Sequence, residues 1–328
     1  MIEKLHKELF FTIVIPARCK NNYLIESIEN CINLSCSNFE ILVFPDKYFE
    51  YKNDKVKIIP TGDIGPAEKR DLSIKHARGE ILAFLDDDAY PEKNWLNNSI
   101  DHFNNRDISA VCGPAITPKS DTLIQKLSGE IYSSFIACGN TTFRYKQANK
   151  IFEIDDFPSV NFLIRKNDFK NIGGFDSTYW PGEDTKLCLD IINLGKKIIY
   201  DPNILVYHHR RNSFKEHLIQ VFNYAYHRGF FIKIYPKNSL KLGYFIPPLF
   251  LLFIVIGSVF SVINMYFRYF YFFILILYVF LLVINSLIKF IGNKNLKISF
   301  LLIPGIFLTH TCYGTGFIKG LLSREIKR

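Results

Sequence analysis

Acidic residues are almost absent from the last 88 residues of the chain. Lys241 to Arg328 contain nine Lys and Arg but one acid, Glu325. The preceding 240 residues hold 31 basic and 30 acidic residues, so eight of the nine net positive charges lie in this last stretch. The overall positive charge therefore does not indicate a nucleic-acid-binding protein, and no basic run interleaved with aromatic residues supports one. We expect no nucleic acid among the partners.

Paired cysteines are also missing. The seven cysteines are odd in number and include no Cys-x-x-Cys pair. This number and spacing disfavour a metal or redox role for the cysteines. We interpret the cysteines as reduced, mostly buried small hydrophobic residues of a cytosolic domain.

A cleavable signal peptide is not expected at the start of the sequence. The apolar stretch from Leu9 to Ile15 is short, is closed by Pro16 and lacks a small-residue cleavage site. We predict a first β-strand there instead.

Long apolar runs are concentrated at the other end. Residues 244–264 and 267–288 are long enough to span a membrane, and their only charge, Arg268, lies in the short turn between them. A third apolar stretch, 298–318, is interrupted by Pro304-Gly305. We therefore predict two domains, a catalytic domain over 1–238 and a membrane domain over 239–328.

The distribution of basic residues predicts how these apolar segments are oriented in the membrane. The link after the second span carries Lys289, Lys294 and Lys297, which predicts that this link and the catalytic domain face the cytoplasm. A third full span would place the basic tail outside, against this bias; the tail comprises Lys319, Arg324, Lys327 and Arg328. The pattern favours a re-entrant or interfacial third segment over a third span. We expect a multi-pass protein of the cell (inner) membrane, with the lipid bilayer as a partner.

The first part of the chain alternates strand-like and helix-like segments. Such alternation is typical of an α/β fold with a doubly wound, mostly parallel sheet. Predicted strands are 11–15, 41–44, 56–59, 81–85, 108–112 and 160–165; predicted helices are 23–34, 66–77, 91–104, 122–137 and 183–194. Pro66 and Pro91 suit first-turn positions of helices.

Three consecutive aspartates, Asp86, Asp87 and Asp88, directly follow the apolar strand 81–85. Ligands of open α/β sheets bind beyond the carboxyl ends of the strands. Three adjacent carboxylates repel one another unless a cation or hydrogen-bond donors offset their charge. A hard divalent ion that also holds phosphate oxygens would offset it, so the sequence predicts a metal–phosphate site here.

Six motifs occur in an order that resembles a family 2 inverting glycosyltransferase with the GT-A fold, over about residues 11–235. They are Ile13-Val14-Ile15-Pro16, Gly65-Pro66-Ala67-Glu68-Lys69-Arg70, Leu85-Asp86-Asp87-Asp88, Asn161 before Gly173-Gly174-Phe175-Asp176, Gly182-Glu183-Asp184, and Tyr207-His208-His209-Arg210. The tail, with His310 and Tyr313-Gly314-x-Gly316-Phe317, resembles the membrane-anchored branch that builds surface polysaccharides and lipid-linked glycans.

The resemblance implies a Mn²⁺ or Mg²⁺ ion at an Asp-x-Asp pair. Asp88 would contact the metal directly, and Asp86 would contribute on the nucleoside or ribose side as well as to the metal. A histidine would be a further metal ligand. The sequence does not separate His208 from His209, with a marginal preference for His209.

The resemblance also implies a catalytic base at Asp184, with Glu183 beside it. Residues implied to bind the nucleotide-sugar are Pro16, Ala17, Arg18, Asp46, Arg70, Asp86, Asp87, Asn161, Arg210 and Arg211. The chain departs from the family at Asp46, where two acids are usual, and at Ala17-Arg18, where Tyr-Asn is expected. It also lacks the Gln-x-x-Arg-Trp motif of processive synthases, which disfavours a polymerase.

We therefore expect a metal-dependent inverting enzyme that moves one sugar from a nucleotide-sugar to a membrane-held, lipid-linked saccharide. A UDP-sugar is the expected donor. Three alternatives stay open. The first is a sugar transferase acting on polyprenyl phosphate itself. The second is a two-metal nucleotidyl- or phosphoryl-transferase, since paired aspartates also serve such enzymes, and the third is a non-catalytic membrane assembly subunit with a retired site.

Overall fold

The computed structural model describes residues 9–179 and 182–326. The chain forms two compact units, the first comprising Met1–Ile116 and Lys146–His208 and the second Thr117–Tyr145 and His209–Arg328. This division differs from the boundary expected between residues 238 and 239, because 117–145 and 209–238 pack with the apolar helices. Lys327 and Arg328, used above to weigh a third span, lie outside the described residues.

All described strands belong to the first unit. They are β1 (Phe11–Pro16), β2 (Phe39–Phe44), β3 (Val56–Ile58), β4 (Ile81–Leu85), β5 (Ala89–Pro91), β6 (Ile108–Cys112), β7 (Ala115–Ile116), β8 (Phe152–Ile154), β9 (Asn161–Arg165), β10 (Lys197–Tyr200) and β11 (Val206–His208).

The α-helices divide between the two units. They are α1 (Asn22–Ile32), α2 (Pro66–Asp71), α3 (Ser73–His76), α4 (Leu123–Tyr132), α5 (Phe135–Cys138), α6 (Lys166–Asn171), α7 (Glu183–Asn193), α8 (Phe214–Ile234), α9 (Pro236–Ser239), α10 (Ile246–Ile263), α11 (Met265–Asn293) and α12 (Leu296–Leu322).

The first unit is built on an eight-stranded sheet in the order β3-β2-β1-β4-β9-β6-β10-β8. β1 pairs in parallel with both β2 and β4, whereas β9 runs antiparallel to its neighbours β4 and β6. The central strands β1, β2 and β4 are buried along their whole length, which explains why they appear in the sequence as continuous apolar runs. The α/β fold with a mostly parallel sheet is confirmed.

One predicted helix is wrong. Pro91 does not begin a helix; it ends strand β5, and only Asn97–Asn104 is helical, in the tighter 3₁₀ form. β5 instead joins a second, three-stranded sheet in the order β5-β11-β7. The proline is compatible with this short strand because proline is tolerated at edges and ends of sheets.

Among its described residues, the second unit contains three helices long and apolar enough to cross a membrane, over Leu242–Ile263, Met265–Asn293 and Leu296–Leu322. The third is one continuous helix through Pro304 and is not interrupted there. Arg268 donates from Nε to the carbonyl of Ser261 at 2.8 Å and so caps the end of α10. This cap explains how a charge is accommodated in the turn between two apolar helices.

Glycines allow α12 to pack closely along α8. A Cβ atom at Gly320 would lie 1.9 Å from the Tyr226 carbonyl oxygen, and one at Gly316 would lie 2.6 Å from that of Phe222. On the facing helix, a Cβ at Gly229 would lie 2.1 Å from the Phe317 oxygen. Small residues four apart permit such backbone approach. The Gly314-x-Gly316 run noted in the sequence therefore belongs partly to a helix–helix contact.

Candidate active site

The acidic turn after β4 lies beside the end of β11. Strands β5 and β11 are antiparallel, and Ala89 faces His208 across the pair. Asp88 precedes Ala89, so this register places its carboxylate Oδ1 3.0 Å from His208 Nε2. One ligand atom from each of Asp86, Asp88 and His208 lies within 4.8 Å of the others.

His209 is not a member of this group. Its Nδ1 donates to the Asp121 carboxylate, and its side chain is buried in the second unit. Successive residues of an extended chain point in opposite directions, so only one of two adjacent histidines can face the acidic turn. The marginal preference for His209 is corrected in favour of His208.

The grouped side chains suit a divalent cation. Two carboxylate oxygens and one imidazole nitrogen form a donor set compatible with Mn²⁺ or Mg²⁺. All three residues are half-buried, so a bound ion would keep open positions for other ligands. Asp87 lies in the same turn but is not one of the three grouped residues.

Arg70 connects the acidic turn to the first turn of α7. Helix α2 begins with Pro66, and the backbone N–H of Gly65 donates to Glu68 Oε2 at 2.7 Å, which fixes the start of the helix. The buried Arg70 guanidinium donates to Asp86 Oδ1 at 2.6 Å and to Glu183 Oε1 at 3.4 Å. This bridge holds carboxylates from two separate motifs together.

Glu183 and Asp184 open helix α7, where the helix dipole favours acidic residues. Burial raises the pKa of both carboxyl groups; the neighbouring Asp184 raises that of Glu183 further, whereas Arg70 opposes the shift in each. Ser159 hydrogen-bonds Asp184 and also lowers its pKa. Among the described residues, Glu183 Oε2 and Asp184 Oδ1 are buried atoms with no hydrogen-bond partner. Asp184 therefore combines one anchored oxygen with one that can accept a proton.

A lysine that the sequence reasoning missed lies at the carboxyl ends of β1 and β2. The buried Lys69 Nζ donates to the Asp46 carboxylate and, at 2.6 Å, to the Ala17 carbonyl that follows Pro16. The Arg18 carbonyl accepts from the Asp46 backbone N–H at 3.2 Å. Asp46 is therefore half of an ion pair with Lys69. Lys69 belongs to the Gly65-Pro66-Ala67-Glu68-Lys69-Arg70 motif, but no role was expected of it there.

Asn161, expected to contact the nucleotide-sugar, has a different role. It is fully buried, and its amide nitrogen donates to the carbonyls of Gly113 and Ile204 at 2.7 Å each. Its oxygen accepts from Trp95 Nε1 at 2.8 Å. The side chain crosslinks three segments of the first unit, so the expected ligand contact is corrected to a structural one.

Arg210 and Arg211, also expected at the nucleotide-sugar, belong to the second unit. The Arg210 guanidinium is buried, donates to Thr117 Oγ1 at 2.9 Å and lies over the rings of Tyr132 and Tyr145. Arg211 is exposed.

Known proteins resemble this chain in sequence and in fold. A sequence model described as "Glycosyl transferase family 2" matches residues 12–173. The pre-mycofactocin glycosyltransferase of Mycobacterium tuberculosis is 26% identical over 165 residues, which cover 46% of this chain and 32% of that protein. The chain thus spans about a third of the length of this relative.

A second relative matches over nearly its whole length. It is the dolichyl N-acetyl-alpha-D-glucosaminyl phosphate 3-beta-D-2,3-diacetamido-2,3-dideoxy-beta-D-glucuronosyltransferase of Methanococcus voltae, 26% identical over 335 residues, or 95% of this chain and 97% of that protein.

Among solved structures, the mannosyltransferase PcManGT from Pyrobaculum calidifontis, in complex with GDP-Man and Mn²⁺, has a similar fold. The TM-score is 0.55 at 14% identity, over 97% of this chain and 88% of that one. The GT-A architecture, the order of the motifs and the matched family model agree, and the chain belongs to the family 2 glycosyltransferases.

Proposed function

We propose that the protein moves a single sugar from a nucleotide-sugar, a UDP-sugar in the first instance, to a lipid-linked saccharide held at the membrane, with inversion at the transferred carbon. The observation that carries this proposal is the group formed by Asp86, Asp88 and His208, which lies beside the Arg70 bridge to Glu183. That group would receive the diphosphate of a donor at the carboxyl end of β4, where ligands of open α/β sheets bind.

Asp86, Asp88 and His208 would hold the divalent ion. When bound, Mn²⁺ or Mg²⁺ would supply positive charge to the diphosphate leaving group. The hydrogen bond from Arg70 holds the Asp86 carboxylate in place. The Mn²⁺ found in PcManGT supports a divalent metal for this chain.

Asp184 would act as the base. Its Oδ1 has no hydrogen-bond partner among the described residues, while Ser159 anchors the carboxyl group. An acceptor hydroxyl that donates to Oδ1 would give up its proton there as its oxygen attacks the sugar. Glu183, whose pKa is raised above its ordinary range by burial and by Asp184, would be protonated at neutral pH and would hold Arg70 without competing for that proton.

The Asp46–Lys69 pair would recognise the nucleobase of the donor. A carboxylate beside an ammonium group complements a ring N–H flanked by a carbonyl. Uracil presents this edge, and guanine presents an equivalent one, whereas neutral cytosine and adenine do not. The pair therefore supports UDP-sugars, with GDP-sugars as the alternative to be tested against them.

The acceptor would be presented by the membrane. The three apolar helices of the second unit fit a membrane protein, and the Methanococcus voltae relative is named for a dolichyl-phosphate-linked sugar acceptor. We further propose that the basic link around Lys294 and the first unit face the cytoplasm, where nucleotide-sugars are made. Helix α12 packs closely along α8, and α8 carries the charged residues Lys215, Glu216 and Arg228. Because charged side chains are costly inside a bilayer, this packing favours an interfacial third helix over a third span.

A donor screen tests the proposal. The purified full-length protein is incubated with UDP-, GDP-, CDP- and ADP-sugars in Mn²⁺, and nucleoside diphosphate release is followed by mass spectrometry. We expect slow, metal-dependent hydrolysis of a UDP-sugar. Lys69→Met, which keeps the length of the side chain, should reduce the preference for that base; Lys166→Met, a lysine bonded to the Ala77 carbonyl instead, is the control. Release of a nucleoside monophosphate would indicate a different reaction class.

A further inference from the structure

The guanidinium group of Arg70 is only partly fixed by hydrogen bonds. It donates to Asp86 Oδ1 at 2.6 Å, but its contact with Glu183 Oε1 is 3.4 Å long, beyond the usual range of an N–H···O hydrogen bond. Its Nε is buried and has no hydrogen-bond partner among the described residues. The orientation of this planar group therefore also depends on what packs against it.

The aromatic ring of Phe175 packs against Arg70. The Arg70 Cζ atom lies over this ring, 5.5 Å from its centroid, and a guanidinium group at that distance is attracted to the face of an aromatic ring. Phe84 of β4 and Phe169 of α6 hold the ring in turn, with edge-on contacts at centroid distances of 5.3 and 5.5 Å. Phe175 is 4% exposed, so its ring has little room to move.

The backbone that leads to Phe175 turns sharply at the end of α6. The N–H groups of Gly173 and Gly174 donate to the carbonyls of Lys170 and Phe169 at 3.1 and 3.0 Å, the hydrogen-bond pattern of a Schellman motif. Both glycines have a positive φ, 84° and 81°, which residues with a side chain rarely adopt. The turn therefore sets the direction in which Phe175 leaves α6.

Asp71, the last residue of α2, joins this turn to the helix that carries Arg70. Its Oδ1 accepts a hydrogen bond from the Phe175 N–H at 2.8 Å. A Cβ atom at Gly174 would lie 2.4 Å from the same oxygen, so this close approach also requires glycine there. Burial raises the pKa of Asp71 to about 7, against the opposing effects of the Phe175 N–H and of Arg70. Since a carboxyl group can accept from an N–H in either protonation state, the contact does not depend on the charge.

We propose that Asp71 and Phe175 are positioning residues that hold Arg70 between Asp86 and Glu183. Asp71 binds the backbone of Phe175, and the ring of Phe175 supports the guanidinium group of the residue that precedes Asp71. Arg70 can then hold the Asp86 carboxylate of the group proposed to bind the metal at a constant distance from Glu183 at the start of α7. The inference deepens the proposed function and rests on it, because it assigns residues that support the proposed metal and base sites.

Two substitutions in the full-length protein in detergent test these contacts. Asp71→Ala removes the acceptor of the Phe175 N–H, and Phe175→Leu keeps an apolar side chain but removes the ring. Each should lower the kcat of sugar transfer and weaken Mn²⁺ binding in the presence of UDP, measured by isothermal titration, by about tenfold, as for loss of a residue that orients a metal ligand. Asp71→Asn keeps an acceptor oxygen and should restore both values to within a few-fold of the wild type.

Phe169→Leu is the matched control. It makes the same change in the same aromatic cluster, but Phe169 packs on Phe84 and Phe175 rather than on Arg70. It should lower the Tm about as much as Phe175→Leu and leave the Mn²⁺ affinity within a few-fold of the wild type. An equal loss of Mn²⁺ affinity in both variants would show that only the packing of the cluster matters, and would overturn the proposal.

A double-mutant comparison separates positioning from general destabilisation. In an Arg70→Gln background no guanidinium group remains to be positioned, so Phe175→Leu and Asp71→Ala should cause no further tenfold loss of Mn²⁺ affinity. A full second loss in that background would contradict the proposal, as would unchanged kcat and Mn²⁺ affinity when Arg70 is present. If Asp71→Ala does not fold, Phe175→Leu and its Arg70→Gln double variant decide the question.

The outcome separates from that of the proposed function. If the wild type transfers sugar but Asp71→Ala and Phe175→Leu behave like Phe169→Leu, the positioning role is wrong and the transferase proposal stands. If the wild type binds Mn²⁺ with UDP but consumes no nucleotide-sugar, and these two variants lose that affinity only when Arg70 is present, the positioning role stands and the transferase proposal fails.

Discussion

His208 Nε2 lies 3.0 Å from Asp88 Oδ1, although the two residues belong to separate motifs far apart in the chain. The contact depends on a short antiparallel pairing in which Ala89 faces His208. A three-residue strand thus decides which of two adjacent histidines meets the acidic turn.

The first prediction concerns that histidine. His208→Gln should weaken Mn²⁺ binding in the presence of UDP by at least about tenfold, since even loss of a residue that only orients a metal ligand costs this much. Isothermal titration with Mn²⁺ measures the change. His76→Gln, the same substitution elsewhere in the first unit, should leave Mn²⁺ affinity intact. An equal effect of both substitutions would contradict the assignment of His208.

The second prediction concerns the base. Asp184→Asn should lower the rate of transfer by about 10²–10⁴-fold, the usual contribution of a positioned base, while UDP and Mn²⁺ still bind within a few-fold. Asp190→Asn, on the same helix and paired with Lys186, is the control and should transfer normally. If Asp184→Asn keeps a tenth of the wild-type rate, the base lies elsewhere, and Glu183 becomes the first residue to examine.

The third prediction is a pH dependence. Burial raises the pKa of Asp184 to about 6, against the opposing effects of Arg70 and Ser159. A base must be ionised, so kcat/KM should rise with pH and level off above about 6. The residual activity of Asp184→Asn should lack this limb. A wild-type profile that is flat from pH 5 to pH 7 would contradict the role of Asp184.

The same raised pKa values should make the folded state less stable as the pH rises, whereas kcat/KM increases. The folded-state pKa values of Glu183 and Asp184 lie above their ordinary values, so the folded protein binds protons more tightly than the unfolded chain. Their contribution to the free energy of unfolding should therefore be largest at low pH, near the ordinary carboxyl pKa, and should be lost as the pH rises through the raised values. Thermal unfolding of the metal-free protein between pH 4.5 and 8 measures this slope, which Glu183→Gln should reduce.

The fourth prediction concerns helix packing in the second unit. Gly320→Ala should destabilise the unit, because its Cβ would meet the Tyr226 carbonyl oxygen at 1.9 Å and neither backbone can yield easily. Gly292→Ala is the control: no atom lies within 4 Å of its Cβ, and alanine is the better helix former by about 1 kcal/mol. Thermal unfolding in detergent should show a lower Tm for the first variant and an unchanged or higher Tm for the second.

The sequence predicted the sheet well because buried parallel strands appear as short apolar runs, as β1, β2 and β4 do. It also located Asp86, Asp88 and the Glu183-Asp184 pair from motifs that precede or follow regular elements. It was wrong about Pro91, because the pairing partner that makes β5 a strand is β11, far along the chain.

Other features of the site depend on long-range contacts that no local pattern encodes. Asn161 looked like a ligand-binding residue, but its amide is saturated by Gly113, Ile204 and Trp95. The motif that contains Lys69 assigned it no role, because its burial beside Asp46 follows only from how α2 packs against the first two strands. Local composition likewise could not indicate that residues 117–145 join the apolar helices.

The most direct test of the central claim is a transfer assay with Asp88→Asn. The wild type, in membranes with Mn²⁺, a UDP-sugar and a prenyl-phosphate-linked saccharide, should produce a lipid heavier by one sugar, and NMR of the product should show an inverted anomeric centre. Chelation of the metal or the Asp88→Asn substitution should abolish that product while the protein remains folded. Undiminished transfer by Asp88→Asn, or a product with retained configuration, would contradict the account.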